Sequence, residues 1–339
     1  GLALSTLVAM TRTLHEGWDS LLNPEDGVAV DAFIHTGNGK AIKFYDQAPK
    51  RPKSNKRKAN GIILYLCCAD NDELNDLHYS LKLLNRFYTS SFPYPVLILH
   101  DIDLDPVTLQ AAAGHTELIF HRFKFDFPGH MTPADISGIP PKLHLAGHNW
   151  GYGYRHMSRF FCHSLYDLPI VQGYDYYWRL DADSFLLTPI QYDVFQRMED
   201  EDKVYGYMVV TSEDKVVVKG LWNTTKEYID NEGITPKFLH KHMKEDGSWN
   251  RDMYYTNFEI SRFDFWRSEK YRDFFNWIDK SNGIYMHRWG DAPIHLLAIT
   301  LLLPEERVLR FGDIGYWHQY YVNLPEDFSK RRAKSKTEL

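Results

Sequence analysis

The run "IILYLCC" at residues 62–68 is continuously apolar and has the length of one strand. Without an alternating polar face, such a strand must be covered on both sides, which places it inside a sheet sandwiched by helices. Leu74, Leu77, Leu81 and Leu84 then keep helical spacing up to Phe92-Pro93, and "PVLILHD" (95–101) supplies a second buried strand. A strand, helix and strand in this order imply parallel pairing with a right-handed crossover. Further strands are expected at "ELIFHRF" (117–123), "YDYYWRL" (174–180) and "VYGYMVV" (204–210). Two late helices are marked by their ends. Ser268 caps "SEKYRDFFNWIDKSNG", and Asp291 opens "DAPIHLLAITLLLP", which is apolar nearly all round and therefore buried. The expected fold is α/β with a mainly parallel central sheet, and its ligand crevice lies at the carboxyl ends of the strands.

The remaining chain is organised around this core. Leu4, Leu7, Leu14, Trp18 and Leu21 are spaced as an amphipathic helix. "APKRPKSNKRKANG" (48–61) reads as an exposed basic linker, and "SKRRAKSKTEL" as a solvated basic tail. The expected division is an N-terminal arm at 1–57, a catalytic domain at 58–328 and a tail at 329–339. No stretch approaches the roughly 20 apolar residues of a membrane span, and a membrane anchor absent from this sequence is left open. The net charge of −6 argues against nucleic acid as a partner. Cys67, Cys68 and Cys162 form no CxxC pair, which argues against a thiolate zinc site. Aromatic residues reach 15%, which favours a carbohydrate ligand, since rings stack on sugar faces. One glycosylation sequon occurs, Asn223-Thr224-Thr225.

The chemistry concentrates in "YDYYWRLDADSFLLTP" (174–189). Tyr176, Trp178 and Leu180 alternate with Tyr177 and Arg179, as in a strand with one face buried, and Asp181 and Asp183 point the same way at its end. Two neighbouring carboxylates repel unless a positive charge sits between them. They form either a solvated acidic turn or a site for Mg²⁺ or Mn²⁺, whose oxygen ligands would be completed by phosphate.

Several other residues carry paired readings. Glu259, between Phe258 and Ile260, is costly to bury without a task or a partner such as Arg262 or Arg267. His318, at the end of "DIGYWH", is a hydrogen-bonded structural residue or a ligand, whereas His295 in the buried helix reads as structural. Arg288 is read as contacting an acceptor or supporting Glu259, and Asp291 as a salt-bridge partner and helix cap. Tyr154, Arg155 and Arg159 in "GYRHMSRF" either hold phosphate or pair with nearby acids along a helix face.

"GYRHMSRFF" (153–161), "YDYYWRLDADSF" (174–185), "TNFEISRFDFWRSEKYRDFFNWID" (256–279), "RWGDAPIHLLAITLLLP" (288–304) and "FGDIGYWH" (311–318) together resemble the successive motifs of the fungal α-1,2-mannosyltransferases, glycosyltransferase family 15. The resemblance spans roughly residues 60–320. It implies a GT-A nucleotide-sugar fold, GDP-mannose as donor, Mn²⁺, retention of anomeric configuration and a Golgi or other secretory lumen, with the cytoplasm as alternative. It also implies Glu259 as the carboxylate beneath the donor sugar and His318 as a metal ligand beside Asp181 and Asp183. One departure stands out: the family usually has Glu-Pro where this chain has Asp181-Ala182. The expected activity is transfer of mannose to a hydroxyl of a glycan or glycoprotein acceptor. Its rivals are a transferase using another nucleotide sugar and a non-catalytic glycan-binding protein. A phosphoesterase is disfavoured because no second Asp and His cluster supplies a two-metal site.

Overall fold

The computed structural model of the chain describes residues 33–35, 41–43, 59–67 and 71–325. The expected N-terminal helix, nearly all of the basic linker and the 329–339 tail lie outside the described residues. The strands that build the site are β1 (Gly61–Cys67), β2 (Val96–His100), β3 (Leu118–Arg122), β4 (Tyr176–Leu180), β5 (Ser184–Leu186), β6 (Tyr205–Tyr207), β7 (Phe258–Arg262), β8 (Val308–Arg310), β9 (Tyr316–His318) and β10 (Tyr321–Asn323). Seven of them form one sheet in the order β8-β6-β7-β4-β1-β2-β3, while β10-β9-β5 make a small separate ribbon. β1 is parallel to β2 and β4, β2 to β3, and β6 to β8. Within this seven-stranded sheet only β7 runs antiparallel to its neighbours, β4 and β6. The sheet is mainly parallel, as the apolar strand runs require.

Both faces of β4 are buried, not one. Trp178 and Leu180 join the core that contains Ile63, Tyr65 and α1 (Asn71–Leu84), whereas Tyr177 joins the opposite core with Ile62 and Leu64. That second core is covered by α2 (Tyr152–Cys162), α3 (Glu269–Lys280) and α4 (Asp291–Leu302). Polar residues on β4 are therefore interior groups that need partners, and Arg179 is the principal one. Removing the Trp178 ring from such packing costs about 3–5 kcal/mol.

The apolar run at 204–210 is shorter as a strand than expected. β6 stops at Tyr207, whose carbonyl accepts from Phe311 N at 2.8 Å, and Val210–Ser212 pairs with Asp252–Tyr254 in another sheet. Gly206 is required in β6, because a Cβ there would lie 2.5 Å from the Phe311 ring. In the antiparallel register Glu259 faces Arg179 on one side and Tyr207 on the other. Since Phe258 and Ile260 enter the α1 core, Glu259 projects into the α4 side.

Candidate active site and metal centre

β1 and β4 end at the same edge of the sheet, and a cavity of about 510 Å³ opens there. Its walls include Leu66 from β1, Glu73 and Asp76 from α1, Tyr154, Met157 and Phe161 from α2, and Arg179, Asp181 and Asp183. The crevice lies where parallel-sheet topology predicts. After β4 the chain turns tightly: Ser184 N donates to Asp181 O at 3.0 Å, and Asp181 N donates to Ser184 Oγ at 3.1 Å. The Ser184 hydroxyl also meets Tyr316 Oη at 2.8 Å, which ties this turn to β9. Through the β5–β9 register, Ser184 lies opposite His318.

Asp181, Asp183 and His318 consequently converge, each offering a ligand atom within 4.8 Å of the others. His318 Nδ1 lies 3.1 Å from Asp183 Oδ1, and Gln319 Nε2 donates to Asp183 Oδ2 at 3.2 Å. Burial pushes the Asp183 carboxyl above its ordinary pKa, His318 opposes that rise, and Asp181 adds to it. Two carboxylates and an imidazole form a donor set suited to Mn²⁺ or Mg²⁺, and a half-buried acidic pair gains from a cation.

Arg179 was missing from the sequence-derived site. Its side chain is buried and lies 3.5 Å above the Phe161 ring. Nη1 donates to Asp291 Oδ2 at 2.6 Å, while Nε and Nη2 each donate to Asp181 Oδ1 at 3.3 Å. Burial opposes its charge, but Asp291 and Asp181 outweigh burial and hold the guanidinium protonated more firmly than usual. Arg179 is the one basic side chain among the described residues that line the cavity. A charged residue in a strand buried on both faces was the signal that could have revealed it. Asp291 is not the helix cap expected from sequence. Gly290 occupies that position without a side-chain bond, and the Asp291 carboxylate is taken by Arg179 and by Thr256 Oγ1 at 2.8 Å.

Of the phosphate-contact candidates, Tyr154 lines the cavity but the two arginines do not. Arg155 is fully buried and donates to the carbonyls of Gly151, Tyr285, Pro140 and Pro141 at 2.6–3.1 Å. Arg159 makes a forked pair with Asp279, with Nε and Nη2 each 2.9 Å from a carboxylate oxygen. Both are cross-links between elements, because their N–H groups already have acceptors.

Arg288 supports neither Glu259 nor its neighbours. It is a left-handed residue (φ 66°) that donates to Glu213 Oε2 at 2.7 Å and to Tyr154 Oη at 2.5 Å. Its guanidinium also lies against the Trp150 and Tyr154 rings.

Glu259 is likewise not brought to the cavity surface. It is 0% exposed and accepts from Tyr177 Oη at 2.5 Å and Tyr205 Oη at 2.8 Å, with His295 Nδ1 at 2.7 Å. Neither expected partner is used: Arg262 pairs with Asp264 and Asp202, and Arg267 donates to the carbonyls of Tyr166 and Val171. Burial opposes ionisation of Glu259, but His295, Arg179 and Tyr177 outweigh it and lower the carboxyl pKa. The sequon residue Asn223 is exposed on the helix Leu221–Glu232, away from the cavity lining, while Thr225 is buried. Among the described residues, no helix is long and apolar enough to cross a membrane.

The sequence profile of the family described as "Glycolipid 2-alpha-mannosyltransferase" matches residues 30–337. A glycolipid 2-alpha-mannosyltransferase of Saccharomyces cerevisiae is 32% identical over 300 residues, covering 81% of this chain and 64% of that protein. Glycolipid 2-alpha-mannosyltransferase 1 of Candida albicans is 30% identical over 298 residues, covering 83% and 67%. The chain thus spans about two thirds of the length of these curated relatives. Among solved structures, the mannosyltransferase Ktr4p of S. cerevisiae in complex with GDP superposes with a TM-score of 0.69 at 25% identity, over 83% of this chain and 79% of that one. The Mn/GDP form of core-mannan synthase A from Aspergillus fumigatus gives 0.70 at 24% identity, over 87% and 90%, a likeness of fold. With a profile match along nearly its whole length, the chain belongs to the glycolipid 2-alpha-mannosyltransferase family.

Proposed function

We propose that the protein is a retaining α-1,2-mannosyltransferase that moves mannose from GDP-mannose to a hydroxyl of a glycan acceptor, with Mn²⁺ held by Asp181, Asp183 and His318. The observation that carries this reading is the convergence of those three side chains, two of which, Asp181 and Asp183, line the cavity. The names of its relatives support the sugar, and the Mn/GDP form of the Aspergillus enzyme supports the metal and nucleotide.

In the reaction, the bond between the anomeric carbon and the diphosphate oxygen breaks, and GDP leaves with the electron pair. The acceptor oxygen bonds to that carbon on the same face, and its proton passes to the departing diphosphate oxygen. A bound Mn²⁺ supplies compensation for the charge that develops on the departing diphosphate. The chain's own part is to pre-set the geometry. Arg179, anchored by Asp291, fixes one carboxylate oxygen of Asp181, and Gln319 fixes one of Asp183. Tyr154 is held at the cavity wall by Arg288. Phe161 and Met157 supply apolar wall that limits access of water. The relatives' family points to a secretory lumen, the Golgi, as the working compartment.

The test is a donor screen. Nucleotide release from GDP-mannose, UDP-glucose and UDP-galactose is measured with and without Mn²⁺, alongside thermal unfolding with GDP and Mn²⁺ separately and together. Release from GDP-mannose alone, and thermal protection only by the pair, are expected. Release from a UDP-sugar instead overturns the donor. Sugar binding without any response to GDP and Mn²⁺ overturns the enzyme.

A further inference from the structure

The cavity lining ends at Asp183, and His318, the third member of the triad, does not belong to it. Beyond His318 the chain makes a hairpin in which His318 pairs with Tyr321, leaving Gln319 and Tyr320 as the two-residue turn. This turn is built to hold one shape. Gln319 adopts φ 50°, a region that a non-glycine residue enters at a cost, and it is pinned there from both ends. Its amide donates to Asp183 Oδ2 at 3.2 Å, and its carbonyl accepts from Trp317 Nε1 at 2.6 Å. The result is that Tyr320 stands 81% exposed, the most exposed large apolar side chain among the described residues.

Tyr320 is not an isolated surface ring. Its hydroxyl neighbours that of Tyr255, whose ring lies 5.4 Å from the His318 ring and 6.3 Å from that of Tyr321. Tyr255 and Tyr321, with Tyr320 in the turn between His318 and Tyr321, form an aromatic ledge beside His318 of the metal triad. An aromatic face with hydroxyls at its edge matches a pyranose, which has an apolar C–H face and a hydroxyl rim.

We infer that the Tyr255–Tyr320–Tyr321 ledge is the platform on which a pyranose of the acceptor glycan stacks, with Tyr320 its principal contact. The inference rests on the proposed transferase function for its choice of ligand. If the diphosphate occupies the triad from the cavity side, the transferred sugar hangs at this boundary, and the acceptor hydroxyl must arrive from the side the donor leaves open. The ledge is the aromatic surface beside that boundary. Tyr320 takes no part in the metal site or the cavity wall, so changing it should spare the donor half of the reaction.

The experiment compares wild type, Tyr320→Ala and Tyr320→Trp with methyl α-D-mannopyranoside as the acceptor probe. Binding of the probe in the presence of GDP and Mn²⁺ is followed by ligand-observed NMR, which needs no turnover, and acceptor KM and kcat are measured with GDP-mannose. Loss of one aromatic stacking contact should weaken probe binding and raise acceptor KM about tenfold in Tyr320→Ala. GDP–Mn²⁺ thermal protection should be unchanged, and Tyr320→Trp should restore binding. Probe binding and KM in Tyr320→Ala within twofold of wild type would overturn the ledge. A wild type that binds the probe but ignores GDP and Mn²⁺ would overturn the transferase reading, and the binding comparison alone would still decide the ledge.

Discussion

Replacing Glu259 by Gln keeps the volume of a side chain that has no solvent access and deletes its charge. The carboxylate is surrounded by Tyr177 Oη at 2.5 Å, Tyr205 Oη at 2.8 Å and His295 Nδ1 at 2.7 Å. A glutamine carbonyl can keep one tyrosine as donor, but its N–H₂ then faces the other hydroxyl and the imidazole. Hydrogen bonds to a charged group contribute about 1.5–3 kcal/mol each, and removing one partner of a buried pair costs roughly 3–5 kcal/mol. The expected loss is therefore about 3 kcal/mol, a fall of roughly 4 °C in melting temperature for a chain of this size. Thermal and urea unfolding at neutral pH measure it, and GDP–Mn²⁺ protection on the same preparation should persist because Glu259 does not line the cavity. The pH dependence supplies a second check. The folded carboxyl titrates below its usual 4.5, so its contribution is complete above that value and is lost as pH falls through the lower folded one. The gap between wild type and Glu259→Gln should thus narrow in acid. A variant that melts within about 1 °C of wild type at neutral pH, or a gap that stays constant below about pH 4, would refute this account of the network.

Asp183→Asn should leave the melting temperature nearly unchanged, since its carboxylate supports the site and not the core, but should raise the Mn²⁺ needed for GDP protection at least about tenfold. Unchanged Mn²⁺ dependence would remove Asp183 from the metal shell. Because burial and Asp181 lift the Asp183 pKa above 3.8, Mn²⁺ affinity in the wild type should begin to fall at a pH where exposed carboxylates are still ionised, as a Mn²⁺ titration across acid pH would record. Arg155→Ala should lose about 3 kcal/mol in urea unfolding, because four carbonyl acceptors lose their donor, while the folded fraction keeps its GDP affinity. Weakened GDP affinity with unchanged stability would return Arg155 to the phosphate site.

The parts of this molecule legible in its sequence are those written in local patterns. Apolar runs fixed the parallel strands at 61–67 and 96–100, and the Ser268 cap was real, its side chain accepting from Tyr271 N at 3.3 Å. The acidic pair was legible because two carboxylates one residue apart at a strand end demand an explanation. The partner of each charged group was not, because partners are chosen across the fold. Arg155 and Arg159 share a helix with Tyr154, yet the helix turns them toward carbonyls and Asp279 while Tyr154 meets the cavity. Glu259 finds His295 from a helix 36 residues later, a pairing that no spacing rule contains. Arg179 was hidden by the assumption that β4 has a wet face.

His318 and Asp183 are 135 residues apart in the chain, and the hairpin that carries His318 is among the last described elements. A cation shared between them closes that loop as a removable cross-link. Closing a loop of this length restricts the denatured chain by an amount that, for a covalent link, is about 5 kcal/mol. Occupancy would then couple two events that are otherwise separate, charging of the donor site and docking of the C-terminal ribbon against the sheet. Withdrawal of metal would be felt first in the ribbon, so the order of the Tyr320 turn becomes a readout of whether the enzyme is armed.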